Sequence, residues 1–116
     1  MPGTAYSQGD IILIPFPFTD NINTKVRPAI IISGSIVNKS DDVICVQITS
    51  KAYKDRYTFE ISDKDVTQKL GGYNEVRCHK IFTLEKKLIR KKISHLHRTS
   101  FPKLIGIVFN CLKQES

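Results

Sequence analysis

The tightest constraint on the fold lies in residues 27–50, RPAIIISGSIVNKSDDVICVQITS, where two β-branched runs flank the stretch GSIVNKSD. Runs of this kind with a short connection predict an antiparallel pair of strands. Both are too apolar for a half-solvated strand, so both of their faces need cover. The first run opens on Arg27-Pro28. Pro28 fixes its own φ and pushes Arg27 into extended geometry. The guanidinium is therefore expected at the mouth of a strand whose continuation, Ala29 to Ile32, is buried, and an arginine held there is a placed charge.

The rest of the chain supplies more short strands. GDIILIPFPF predicts a strand from Asp10 to Ile14, which Pro15 and Pro17 force into an edge or a bend because they remove backbone donors. TDNINTK, residues 19–25, is polar and turn-rich and predicts a loop leading into Arg27. RYTFEIS, residues 56–62, alternates with Tyr57, Phe59 and Ile61 on one face, and NEVRCHKIF, residues 74–82, follows a Gly71-Gly72 turn. Both predict strands. KLIRKKISHL fits neither period cleanly and is assigned a short strand. Phe101, Leu104, Ile105, Val108, Phe109 and Leu112 fall on one face of an amphipathic helix, with Ser100 as N-cap and Pro102 in the first turn. Five or six strands followed by one helix predict a small, strongly bent antiparallel sheet or barrel that the helix covers. At 116 residues the chain has the length of one domain, residues 1–116.

Charge narrows the choice of partner. The formal net charge is +7, and residues 51–116 carry 15 cations against 7 anions. From Arg77 to Lys103 there are nine cations and one anion, Glu85. Such a field attracts polyanions, nucleic acid above all, although a solvated lysine-rich face would look the same. Cys45, Cys78 and Cys111 are odd in number and lack C-x-x-C spacing, against both a disulfide framework and a zinc site. Buried free thiols in a reducing cytoplasm are expected. No apolar run approaches the ~18 residues that span a bilayer, and the N-terminus has no signal-peptide pattern.

Familiar catalytic motifs are missing: there is no G-x-x-x-x-G-K-[ST], H-E-x-x-H or G-x-S-x-G, and no carboxylate cluster for a two-metal site. His95-x-His97 reads as surface histidines rather than metal ligands. What remains is polar groups at strand ends. Thr49 and Ser50 end the second run where Arg27 begins the first, so in an antiparallel hairpin they lie side by side. A strand-terminal hydroxyl capping a turn is the plainer account of Thr49. Arg77 and His79, at i and i+2, are expected on one strand face, where a salt-bridged arginine and a satisfied histidine would look the same.

GDIILIPFPFTD, KVRPAIIIS, VICVQITS and VRCHKIFTLEKKLIRKKISHL, in this order, resemble the MazF/PemK family of toxin endoribonucleases from bacterial toxin–antitoxin pairs. The likeness runs from about Gly9 to Leu112. It implies a mainly β fold, a small SH3-like barrel of the CcdB/Kid/MazF type with a C-terminal α-helix. It also implies a homodimer that cleaves single-stranded RNA without metal or other cofactor and is neutralised by a cognate antitoxin, an acidic and partly disordered partner.

By the same resemblance Arg27 and Thr49 are catalytic. Arg77 matches the arginine of the R-C-D segment of the Kid/PemK branch, whereas His79 occupies the aspartate position. Val26 stands where some members carry a histidine. Cleavage through the RNA's own 2′-OH needs a base, a cation for the pentacovalent phosphate and an acid for the leaving oxygen. Arg27 suits the second task, Thr49 could hold a phosphate oxygen, and His79 could act as acid or base. Lys25, Ser50, Lys51 and Lys80 are the candidate phosphate contacts. Among the aromatics Phe16, Phe18, Tyr53 and Tyr57, Phe18 and Tyr53 are the candidates for base stacking. Two other readings stay open: a non-enzymatic CcdB-like gyrase-binding toxin, and a catalytically inactive nucleic-acid-binding module.

Overall fold

In the computed structural model, which describes residues 5–16 and 25–114, the two β-branched runs form the centre of a six-stranded antiparallel sheet. The strands β1 (Asp10–Phe16), β2 (Lys25–Ile31), β3 (Asp42–Thr49), β4 (Thr58–Glu60), β5 (Glu75–Glu85) and β6 (Lys91–His95) stand in the order β4-β5-β3-β2-β1-β6. A single helical turn, α1 (Ser35–Asn38), joins β2 to β3, and α2 (Phe101–Leu112) follows β6.

Alternation along the central strands explains why both runs are apolar throughout. Ile11, Ile30 and Val46 are register neighbours and point to one face, where they are buried with Phe59, Val76, Leu104 and Val108. Ile12 with Ala29, and Ile31 with Cys45, point to the other face, beside Val43 and Leu84. α2 covers the first face, and Tyr6, Phe82, Leu88 and Ile89 pack on the second. Each fully buried isoleucine or valine contributes roughly 1.5–3 kcal/mol, so the sheet is held from both sides.

The sheet curls until its edges meet. Val66, beyond β4, bridges Leu96, beyond β6; the Thr67 N–H donates to the His95 carbonyl at 2.9 Å and the His97 N–H to that of Asp65 at 2.7 Å. This bridge ties the two ends of the sheet, which curls into a half-barrel, the mainly β fold with a C-terminal helix that the resemblance implies.

Several boundaries differ from expectation for identifiable reasons. β1 continues through Pro15 to Phe16, because β6 pairs with it only as far as Leu13 and leaves Pro15 with β2 as its one neighbour. Pro17 and residues 19–24 lie outside the described residues. Lys25 opens β2 instead of ending a loop. The connection GSIVNKSD contains α1, whose buried Asn38 donates from its amide to the Ser33 carbonyl at 2.7 Å. β4 is shorter than expected, and Tyr57 is exposed while Phe59 and Ile61 are buried. β5 extends to Glu85, and a 3-10 turn at Lys86–Leu88 precedes the short strand β6.

α2 departs from its expected face at its C-terminal end. Leu104 and Val108 are buried and Ile107 and Cys111 pack beside them, but Phe109 and Leu112 are 61% and 68% exposed, because the face turned to the core runs through Leu104, Ile107, Val108 and Cys111. Ser100 precedes the helix as expected, yet its hydroxyl donates to Asp65 Oδ1 at 2.7 Å and accepts no capping bond from a helix N–H. Cys45, Cys78 and Cys111 are free, and burial pushes the Cys45 and Cys78 thiols up to about 12. Among the described residues no helix is long and apolar enough to cross a membrane.

Candidate active site

At the open end of β2, β3 and β5 the chain forms a cleft of about 170 Å³ lined by Phe16, Arg27, Gln47, Ile48, Thr49, Tyr53, Arg77 and Lys80. The β2–β3 register, which pairs Ala29 with Gln47, sets Arg27 level with Thr49 when carried two residues further. Arg27 is exposed, its Cζ lies 5.3 Å from the Phe16 ring centroid, and it forms no ion pair with a described carboxylate. Its charge is available to a ligand. Thr49 Oγ1 accepts from the Lys51 N–H at 3.2 Å, the turn-capping role expected of a strand-terminal hydroxyl, and its free proton can still be donated.

Beyond Thr49 the chain turns through Ser50 and Lys51, both exposed, to Tyr53. The segment is held from below by Glu75, which is fully buried opposite Thr49. Glu75 Oε1 accepts the backbone N–H groups of Tyr53 and Lys54 at 3.2 and 3.3 Å and the Tyr73 hydroxyl at 2.6 Å. Its Oε2 accepts from Thr58 Oγ1 at 2.9 Å and Arg77 Nη1 at 2.8 Å. Burial opposes the Glu75 charge, but the hydrogen bonds from Tyr73, Thr58, Lys54 and Arg77 outweigh it and hold the carboxyl below its usual range. Tyr73 is pushed up by the same burial and by the carboxylate it faces.

Arg77 completes this network. Its Nη1 and Nη2 reach Asp55 Oδ1 and Oδ2 at 3.1 and 2.9 Å, a bidentate pair, and its Cζ lies 4.2 Å from the Tyr53 ring centroid. The Arg77 hydrogen bond, with smaller help from Tyr57 and Thr58, lowers Asp55 to about 2. With two carboxylates against one guanidinium, the trio Asp55, Glu75 and Arg77 carries a net formal charge of −1. The positive charge that faces the cleft therefore belongs to Arg27 and Lys80.

His79 does not line the cleft. The β3–β5 register jumps from Val46↔Ile81 to Ile48↔Val76, so residues 77–80 leave the ladder with β3, while Arg77 still pairs with Thr58 of β4. Arg77 is buried while His79 is exposed, its ring 4.6 Å from that of Tyr57. Burial, with Arg77 and Lys80 beside it, pulls the imidazole below its usual pKa. Arg77 and His79, expected on one strand face from their i, i+2 spacing, differ in that Arg77 lines the cleft and His79 lies outside it.

The other candidates are dispersed around the cleft. Lys25, exposed opposite Phe16, does not line it. Lys51 Nζ lies 4.9 Å from the Tyr53 ring centroid, and Phe18 is outside the described residues. His95 is not paired with His97 as a ligand set: its Nδ1 meets Asp10 Oδ1 at 2.8 Å. Among the described residues no three His, Cys, Asp or Glu side chains gather as a metal site. Sequence reasoning missed Glu75, Asp55 and Tyr73. The Glu75 and Arg77 pair at i, i+2 on one strand was the available sign.

Comparison with known proteins agrees with this architecture. No curated protein sequence matches the chain. Among solved structures, an endoribonuclease in complex with its cognate antitoxin from a mycobacterial species superposes with a TM-score of 0.76 at 18% identity, covering 97% of this chain and 99% of that one. The MazE–MazF complex from Deinococcus radiodurans gives 0.77 at 15% identity, covering 97% and 100%. The Mycobacterium tuberculosis toxin MazF-mt6 gives 0.74 at 18% identity, covering 92% and 99%. At these identities the likeness is one of fold. A family model, described as the PemK-like, MazF-like toxin of type II toxin–antitoxin systems, matches residues 7–106. The chain, with its curled six-stranded sheet and its arginine and threonine lining one cleft, belongs to the PemK-like, MazF-like family of type II toxins.

Proposed function

We propose that this chain is a sequence-specific endoribonuclease toxin that cuts single-stranded RNA, mRNA above all, by in-line attack of the RNA's own 2′-oxygen on the adjacent phosphorus. The observation that carries this reading is Arg27, exposed, without a described carboxylate partner, and level with the Thr49 hydroxyl in one cleft. The 2′-O–P bond forms as the P–O5′ bond breaks. The 2′-hydroxyl proton leaves to a base, and the departing 5′-oxygen gains a proton. Arg27 holds two non-bridging oxygens of the pentacovalent phosphate through its planar fork, and Thr49 donates to one of them. Lys80 adds charge at the flanking phosphate. His79 lies outside the cleft. The products are a 2′,3′-cyclic phosphate and a 5′-hydroxyl, and the cation at phosphorus is a side chain, so the reaction needs no metal.

The working form is a cytoplasmic homodimer, supported by the family and by the exposed Phe109 and Leu112 on α2, an apolar pair that a second copy would cover. A cognate antitoxin with an acidic segment laid over the cleft would silence it by occupying Arg27 and Lys80. The test is incubation of the purified protein with a long single-stranded RNA in EDTA, followed by mapping of ends. Cuts at a recurrent short sequence with 5′-hydroxyl termini are expected. Intact RNA, or cleavage that appears only with added Mg²⁺, would overturn the reading.

A further inference from the structure

We infer that Arg77 and Glu75 act as positioning residues, holding the Tyr53 ring in the cleft as a subsite for one nucleobase beside the scissile phosphate. The inference rests on the reading of the cleft as an RNA site. Arg77 is poorly placed to serve phosphate itself: its side chain is 6% exposed and both terminal nitrogens are engaged by carboxylates. What it presents to the cleft is the face of its guanidinium, against Tyr53.

Glu75 fixes the other half of the arrangement. It accepts the N–H groups of Tyr53 and Lys54, and Lys54 sits at φ 51°, in the left-handed region that a side-chain-bearing residue adopts only when held there. Backbone and ring of Tyr53 are thus both anchored to β5, yet the residue remains 47% exposed. An exposed aromatic, backed by a guanidinium and lining the same cleft as the exposed Arg27, has the chemistry of a stacking platform in single-strand recognition. Lys51, flexible and exposed over the same ring, can turn to a neighbouring phosphate when a base arrives.

The experiment uses an oligoribonucleotide containing a mapped cut site, made uncleavable by one 2′-deoxy substitution and carrying 2-aminopurine beside that site, with the cleavable parent for kinetics. Tyr53→Ala should weaken binding roughly 5- to 150-fold, the range of base–aromatic stacking losses, and abolish quenching of the 2-aminopurine. The loss should appear in KM with kcat little changed, and Tyr53→Phe should recover most of it. Arg77→Gln should show the same KM defect, and adding it to Tyr53→Ala should make matters no worse. A fall in kcat for Arg77→Gln that multiplies with Tyr53→Ala would instead give Arg77 a direct role at phosphate and overturn the inference. If Arg77→Gln does not fold, Asp55→Asn at its half-exposed partner should raise KM in the same way, and an unchanged KM would refute the positioning role. Wild-type protein that neither cuts nor binds RNA would count against the RNA reading itself, whereas wild-type cleavage with Tyr53→Ala binding normally would sink only this inference.

Discussion

The Arg27 guanidinium lies 5.3 Å from the ring centroid of Phe16, two residues along β1 from its register partner Ile14, and this contact is all that holds it among the described residues. Structure and reactivity should therefore separate at this position. Arg27→Ala should cut RNA turnover by about 100-fold or more, since one preorganised charge-stabilising group at an oxyanion is worth ~3–4 kcal/mol. The thermal midpoint should hardly move, because exposed substitutions usually stay within about 0.5 kcal/mol. Arg27→Lys should not restore the rate, as a point charge lacks the fork that spans two oxygens. Parallel measurement of cleavage rate and melting decides it: full activity, or inactivity explained by unfolding, would remove Arg27 from the mechanism.

His79 gives the opposite expectation. Depressed by burial and by the neighbouring charges of Arg77 and Lys80, its imidazole is neutral at neutral pH, and it stands against Tyr57 outside the cleft. His79→Ala should retain cleavage within a few-fold and leave the pH–rate profile in place. A loss of about 100-fold, the usual scale for a general acid or base, would return the histidine to the site.

The contrast between these two residues marks how far the sequence could be read. The nearness of Arg27 to Thr49 was legible because both lie on strands whose register follows from two apolar runs. The surroundings of His79 were not legible because alternation assumes an unbroken ladder, whereas the β3–β5 register jumps between Val46↔Ile81 and Ile48↔Val76 and Glu75 and Val76 pair with β3 and β4 alike. Glu75 looked like one more charge. Its burial comes from Tyr53, Tyr73, Thr58 and Arg77 converging from three chain segments, which no local pattern encodes. The exposure of Phe109 and Leu112 has the same origin, since periodicity bounds an apolar face only loosely and the sheet takes the stripe through Ile107 and Cys111.

Acid should loosen the Tyr53 segment before it unfolds the barrel. Asp55 is held near 2 chiefly by its hydrogen bond to Arg77, and Glu75 is also held below its usual value. A carboxylate whose folded pKa is depressed contributes its full stabilisation above the unfolded value, ~3.9 for Asp and ~4.3 for Glu, and loses it as pH falls through the folded value. The contribution should be constant above about pH 5 and fade from about 4 toward 2. Tyrosine fluorescence and urea midpoints across that range would follow it, with Glu75→Gln as reference. A gap between wild type and Glu75→Gln that stays constant down to about pH 2 would show that the network is not what titrates.

Two buried carboxylates, Glu75 and Asp10, should differ in what their removal costs. Asp10, 1% exposed, accepts the Ser7 N–H at 2.8 Å and pairs with His95 at 2.8 Å and Lys92 at 3.2 Å where β1 meets β6. The Lys92 and His95 side chains are 46% and 32% exposed, so after Asp10→Ala both can turn to water. The loss should be about 1–3 kcal/mol, the cost of unmade hydrogen bonds. Glu75→Ala has no such outlet. It leaves the Arg77 guanidinium, 6% exposed, with Asp55 alone as carboxylate partner, and strips the acceptor from two backbone N–H groups and the Tyr73 hydroxyl. Breaking a buried pair in this way costs about 3–5 kcal/mol. Urea denaturation of both variants measures the order directly. Should Asp10→Ala prove the more damaging, the seam between β1 and β6, and not the network under the cleft, would be the point on which the barrel depends.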